Sequence, residues 1–156
     1  MKLKPILIGL VLAGFALPAG DPPGFFLWTA ADLKALSVNL APKTDPATHV
    51  ASQVLDRFGN YLFMVVHREG PAEAEYHATQ ADILVIESGE GTLTYGGTMV
   101  NAHTTQPNEM RSPGINGGTD KKLAAGDIVT IPAKTPHQIN VQAGKEITYF
   151  TVKVTQ

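Results

Sequence analysis

The sequence predicts an all-β domain, a sandwich or barrel with one short helix near its start. Three observations carry that prediction. Short strand-like runs recur from residue 50 to residue 154, several of them alternating apolar and polar residues. Fifteen glycines and eleven prolines punctuate the 156 residues, as the many turns of an antiparallel fold require. Only Leu33, Leu36 and Leu40 recur at helical spacing.

Composition narrows the functional classes. Apolar residues make up 44% and charged residues 17%, which describes a folded chain of one domain with a real core. Cysteine is absent, so a disulfide framework, a thiol nucleophile and a thiolate zinc site are excluded. No stretch is basic enough to form a nucleic-acid surface.

In chain order, Lys2 and Lys4 precede the apolar run Ile6 to Leu17, which Pro18-Ala19-Gly20 ends. That run is shorter than the roughly 20 residues a spanning helix needs, so residues 1–19 are expected to be a secretory signal, cleaved after Ala16 or Ala19. The remaining chain carries 10 basic and 14 acidic residues, a net −4, and is expected to be periplasmic or secreted with no stable membrane insertion. Residues 20–58 are read as an N-terminal arm with a helix and a first strand, and residues 59–156 as the barrel. In the arm, Thr29 with Asp32 forms a capping-box pattern that starts a helix over Ala30 to Val38. The aromatic residues Phe25, Phe26 and Trp28 are expected to pack on the domain or to join two copies as a homodimer.

Val50 to Phe58 and Tyr61 to Arg68 flank Gly59-Asn60, a two-residue turn that predicts a hairpin. Both faces of the second strand are apolar, so it is expected to be covered on both sides. Glu75-Tyr76-His77 begins the next strand, and Asp82 opens the run Ile83 to Ile86, expected to end at Ser88-Gly89-Glu90-Gly91. Thr92 to Tyr95 and Thr98 to Val100 flank Gly96-Gly97, read as a second hairpin. Asn101 to Gly114 reads as a long polar loop, and strands follow at Asp127 to Ile131, His137 to Val141 and Ile147 to Val154.

The residues that carry chemistry sit at strand starts. Glu75 and His77, two apart, share one strand face. Counting by two from Asp82 gives Leu84 and Ile86, and from His137 gives Ile139 and Val141. Asp82 and His137 are thus in register with inward-facing apolar residues. Two imidazoles and two carboxylates converging in a barrel form a mixed nitrogen and oxygen donor set, which suits manganese, iron(II), nickel or zinc without choosing among them. The bland alternative is a metal-free carboxylate–histidine network, since buried charges must find partners. Candidates for the surrounding pocket are Glu109 and Arg111 in the long loop, Lys134 before His137, and Tyr149 and Lys153 on one face of the last strand.

Two stretches carry a family resemblance. Glu75-x-His77, four residues, Asp82, six residues, Gly89 has the spacing of the first cupin motif, with Glu75 where a histidine is usual and Asp82 where a glutamate is usual. Gly126, five residues, Pro132-x-Lys134, two residues, His137 resembles the second, with Lys134 where a glycine is usual. Over residues 60–154 the chain therefore resembles the cupin superfamily. The resemblance implies an antiparallel jelly-roll barrel, ligation of a divalent metal by Glu75, His77, Asp82 and His137, and pairing through N-terminal strands. The function it implies is a metal-dependent enzyme acting on a small oxygenated molecule, such as an oxygenase, isomerase or lyase. The alternative is a metal-free, non-catalytic module for a carbohydrate or other small ligand.

Overall fold

The computed structural model describes residues 20–156, so the expected targeting segment lies outside the described residues. Helix α1 spans Ala30–Leu40. Its capping box forms: Thr29 Oγ1 accepts from the Asp32 amide at 3.2 Å, and Asp32 Oδ2 accepts from the Thr29 amide at 2.9 Å. The helix runs past the expected Val38 because Leu40 is buried against Ala51 and Val65.

Twelve strands follow among the described residues: β1 (Val50–Phe58), β2 (Tyr61–Arg68), β3 (Ala74–His77), β4 (Gln80–Tyr95), β5 (Thr98–Val100), β6 (His103–Gln106), β7 (Glu109–Ser112), β8 (Gly114–Asn116), β9 (Thr119–Ala124), β10 (Ile128–Ile131), β11 (His137–Asn140) and β12 (Ile147–Thr155). All pairings are antiparallel. One array runs β1-β2-β12-β4, with β10 on the first half of β4. The other runs β4-β11-β3-β7-β6, with β9 on the second half of β4. Strand β4 belongs to both, so the sheet curls on itself into a barrel. The core fills the space inside, with Val66, Leu84, Ile86, Leu93, Ile139 and Ile147 drawn from both arrays.

Strand β2 is covered on both faces. Val66 points into the barrel core, while Val65 on the opposite face packs with Leu40 under α1. The Trp28 ring lies 5.3 Å from Phe63 and 6.1 Å from Phe150, sealing the outer face with the arm. A buried polar chain pins the helix there. Ser37 Oγ donates to Thr148 Oγ1 at 3.0 Å, and that hydroxyl bonds His67 Nδ1 at 2.8 Å.

Four expectations are corrected. The run from Asp82 does not end at Gly89: β4 continues to Tyr95, and Gly89 (φ +77°) lets it bend where it passes β12. Gly96-Gly97 does turn the chain, but β5 pairs with β8 rather than with β4. The turn is backed by residues 116–118, with the Asn116 carbonyl only 2.5 Å from where a Gly97 Cβ would sit. The stretch from Asn101 to Gly114 is not a loop throughout, since it contains β6 and β7, and β7 pairs with β3. Strand β9 was not expected either. Its residues are exposed except Leu123, so one apolar residue leaves no alternation to read.

Candidate functional site

The site is assembled by cross-strand register. On one array His137 of β11 lies opposite Glu75 of β3, and β3 in turn sets Glu75 opposite Arg111 and His77 opposite Glu109 of β7. On the other, Asp82 of β4 lies opposite Lys153 of β12. The turn before β11 is fixed from below: Lys134 has φ +64°, and its amide donates to the His77 carbonyl at 2.8 Å. Lys134 contributes this backbone bond, while its side chain is exposed and lies outside the cavity lining.

Both imidazoles are oriented by what holds their Nδ1 atoms. His77 Nδ1 bonds Glu109 Oε2 at 2.5 Å, and His137 Nδ1 donates to the Thr135 carbonyl at 3.0 Å. Each ring therefore turns Nε2 to the interior. Asp82 Oδ2 lies 3.4 Å from His77 Nε2 and 3.6 Å from His137 Nε2, and Glu75 Oε2 lies 3.5 Å from His77 Nε2. Ligands at about 2.1 Å from a tetrahedral ion are about 3.4 Å apart, so these three separations and this donor set suit a divalent metal. Glu75, His77 and His137 have ligand atoms all within 4.8 Å of one another, a group that does not include Asp82.

Cations interleave with these donors. Lys153 Nζ is 2.9 Å from both oxygens of Asp82 and 2.9 Å from His77 Nε2. Arg68 donates from Nη2 to Glu75 Oε1 at 2.8 Å and from Nε to the Tyr149 hydroxyl at 2.7 Å. Arg111 Nη2 lies 3.6 Å from Glu75 Oε2, and its Nη1 lies 3.4 Å from Glu109 Oε2. Beside the cluster opens a cavity of about 610 Å³. Asp82, Glu75 and His137 form one wall, and Arg68, Arg111, Tyr149 and Lys153 supply donors to it. Arg68 was not among the sequence candidates. Its signal was parity, since it continues the inward face Leu62, Met64, Val66 of β2.

The electrostatics follow from this packing. Burial disfavours charge on both carboxylates, yet their partners win. Contacts with His77, Arg68 and Arg111 hold Glu75 well below the usual carboxylate range, and His137, His77 and Lys153 do the same for Asp82. Burial lowers the His77 imidazole, but its hydrogen bonds to Asp82 and Glu75 outweigh burial and the nearby Lys153, raising it to about 9. Burial raises the Tyr149 phenol against the opposing pull of Arg68. A protonated His77 and the Lys153 ammonium thus compete for Asp82.

A stability profile follows for the metal-free protein. A group raised on folding contributes fully below its unfolded value, about 6.5 for histidine. Its contribution is lost as pH rises through the folded value, about 9 for His77. Stability in urea is therefore expected to fall by on the order of 2–3 kcal/mol between pH 6.5 and pH 9.5. His77→Gln should flatten that slope. The depressed Asp82 acts oppositely, contributing above about pH 4 and losing its contribution as pH falls further.

No family model and no curated protein matches the chain. Solved structures do. A protein from Bacillus halodurans superposes with a TM-score of 0.57 at 13% identity, covering 86% of this chain and 83% of its own. A cupin-2 domain protein from Rhodospirillum rubrum gives 0.51 at 18% identity, covering 70% of this chain; the match spans 62% of that longer chain. A predicted oxalate decarboxylase from Thermotoga maritima gives 0.50 at 16%, covering 69% and 81%. At these identities the likeness is one of fold. The curled antiparallel sheet, with β12 seated between β2 and β4 and donors gathered on its inner face, has the fold of the cupins.

Proposed function

We propose that the barrel holds a divalent metal on Glu75, His77, Asp82 and His137 and binds a small anionic, oxygenated molecule beside it. One observation carries the reading: two buried imidazoles have Nδ1 committed to fixed acceptors, and both present Nε2 to the same carboxylate oxygen. Metal-ligating histidines are commonly oriented this way by partners behind the ligand shell. A bound ion would anchor and polarise an oxygen of the ligand. The chain's own groups do the rest. Arg111 and Lys153 supply positive charge to the cavity, and Arg68 holds Tyr149 and Glu75 in place.

Elemental analysis of the protein purified from its native host tests the proposal. About one equivalent of manganese, iron, nickel or zinc per chain is expected. His77→Ala and His137→Ala should each reduce it below a tenth of that, since losing even a partner that orients a ligand costs 10–100-fold in affinity. A wild-type chain free of transition metal would sink the reading.

A second reading has its own support. The carboxylates Glu75, Asp82 and Glu109 each face cationic groups among Arg68, Arg111, Lys153 and His77, so each is partnered without an ion. On that reading the barrel binds its ligand without metal, and metal-stripped protein keeps full affinity.

The proposal extends to export and to pairing of two copies. Export rests on Lys2, Lys4 and the apolar run that follows, and pairing on Phe25, Phe26 and Leu27, which are 53%, 51% and 71% exposed. The N-terminal residue of the secreted protein tests the first. Its mass by light scattering tests the second.

A further inference from the structure

Lys153 stands apart from the other cations of the site. Arg68 bonds the other oxygen of Glu75 and Arg111 comes no closer to Glu75 than 3.6 Å, whereas the Lys153 ammonium is within 2.9 Å of two ligand residues. Its Nζ sits 2.9 Å from Asp82 Oδ1, from Asp82 Oδ2 and from His77 Nε2. Those are atoms the proposed ion would need. An ammonium within 2.9 Å of both Asp82 oxygens and of His77 Nε2 fills the space in which an ion would meet those atoms.

Position in the sheet makes this a property of the fold. Lys153 and Asp82 are direct cross-strand partners on β12 and β4, with their side chains on the inner face. The lysine side chain is 15% exposed and that of Asp82 5%, so their attraction is little screened by water. The side chain also lines the cavity, which gives the ammonium somewhere to go.

We infer that Lys153 and a divalent ion are alternative occupants of one cation position, so that Lys153 sets the metal affinity of the site. The inference rests on the metal reading above. With lysine in place Asp82 is already paired. With an ion in place the ammonium moves into the cavity, where it is free to pair with an anionic ligand. Lysine suits this role because its flexible stem can retract, while the forked bonds of Arg68 to Tyr149 and Glu75 fix that side chain in place.

The test is calorimetric titration of the chelator-stripped full chain with Zn²⁺, comparing wild type, Lys153→Met, and Lys153→Met combined with His77→Ala. Methionine keeps the unbranched stem and removes the charge. Lys153→Met is expected to bind one Zn²⁺ at least tenfold more tightly than wild type, and the added His77→Ala to abolish the gain. Equal affinity of wild type and Lys153→Met at one Zn²⁺ each overturns the inference and leaves the metal reading standing. Tighter binding that survives His77→Ala also overturns it, since the ion then sits elsewhere. No binding by either protein overturns the metal reading and the inference with it. A measurement on wild type removes any dependence on how the variant folds. In protein labelled with ¹⁵N at lysine side chains, the Lys153 ammonium resonance should move in step with Zn²⁺ up to one equivalent. A resonance that stays still while the ion binds overturns the inference.

Discussion

Replacing Arg68 with alanine is expected to destabilise the protein by roughly 3–5 kcal/mol in urea unfolding at pH 7, the cost of breaking a buried ion pair from one side. The Arg68 side chain is 9% exposed, and its guanidinium holds two groups at once, the Glu75 carboxylate and the Tyr149 hydroxyl. Without it, Glu75 keeps only the more distant His77 at 3.5 Å and Arg111 at 3.6 Å, and Tyr149 is left buried without that partner. Lysine should recover less than half of the loss, because one ammonium cannot reproduce the two-armed grip. Arg68→Met combined with Glu75→Gln should cost clearly less than Arg68→Ala, since it removes both charges together. A double variant as unstable as the single one would show that the arginine acts through packing instead.

The second large effect is at Gly89. A Cβ there would lie 2.0 Å from the Glu146 carbonyl oxygen and 2.8 Å from its carbon, and φ is +77°. The obstacle is backbone, so no side chain can swing aside. Gly89→Val should cost roughly 4 kcal/mol or more, or prevent folding, which places it among the exceptional substitutions. Gly144 supplies the control. It has nearly the same φ, +76°, and nothing lies within 4 Å of where its Cβ would sit. Gly144→Ala should therefore cost only about 1–2 kcal/mol, the conformational part alone. Comparable losses at the two positions, read from the same unfolding curves, would argue against the clash at the β4 bend.

How much of this was legible in the sequence depended on whether a signal was local. The start of α1 was, because Thr29 and Asp32 bond each other within one turn. So was the Gly59-Asn60 hairpin, whose strands pair in sequence. The partner of β5 was not. Gly96-Gly97 marks a turn in either topology, and only residues 116–118 packing behind it decide the pairing. Strands β6 and β9 were hidden because edge strands facing solvent need no apolar alternation, as His103 to Gln106 show by being exposed throughout.

The site divided along the same line. Period-two counting set Asp82 and His137 on faces that line the cavity, with Leu84 and Ile139 beside them. The same counting grouped Tyr149 with Lys153. It could not find that Lys153 reaches Asp82, because cross-strand register between β4 and β12 is a long-range property. Arg68 was passed over because an arginine ending a strand reads as solvated unless the inward parity of β2 is followed to its last residue. Glu109 and Arg111 were assigned to a loop, yet it is the pairing of β7 with β3 that brings them to His77 and Glu75.

The seat of β12 between β2 and β4 has a consequence for how the chain is made. Until residues 147–155 have left the ribosome, β2 and β4 each present an unpaired edge, and neither array can close. Asp82 then lacks its lysine partner, and the barrel interior stays open to water and to other chains. Closure is thereby deferred until residues 147–155 have been made. Until then the two open edges are exposed to pairing with other chains.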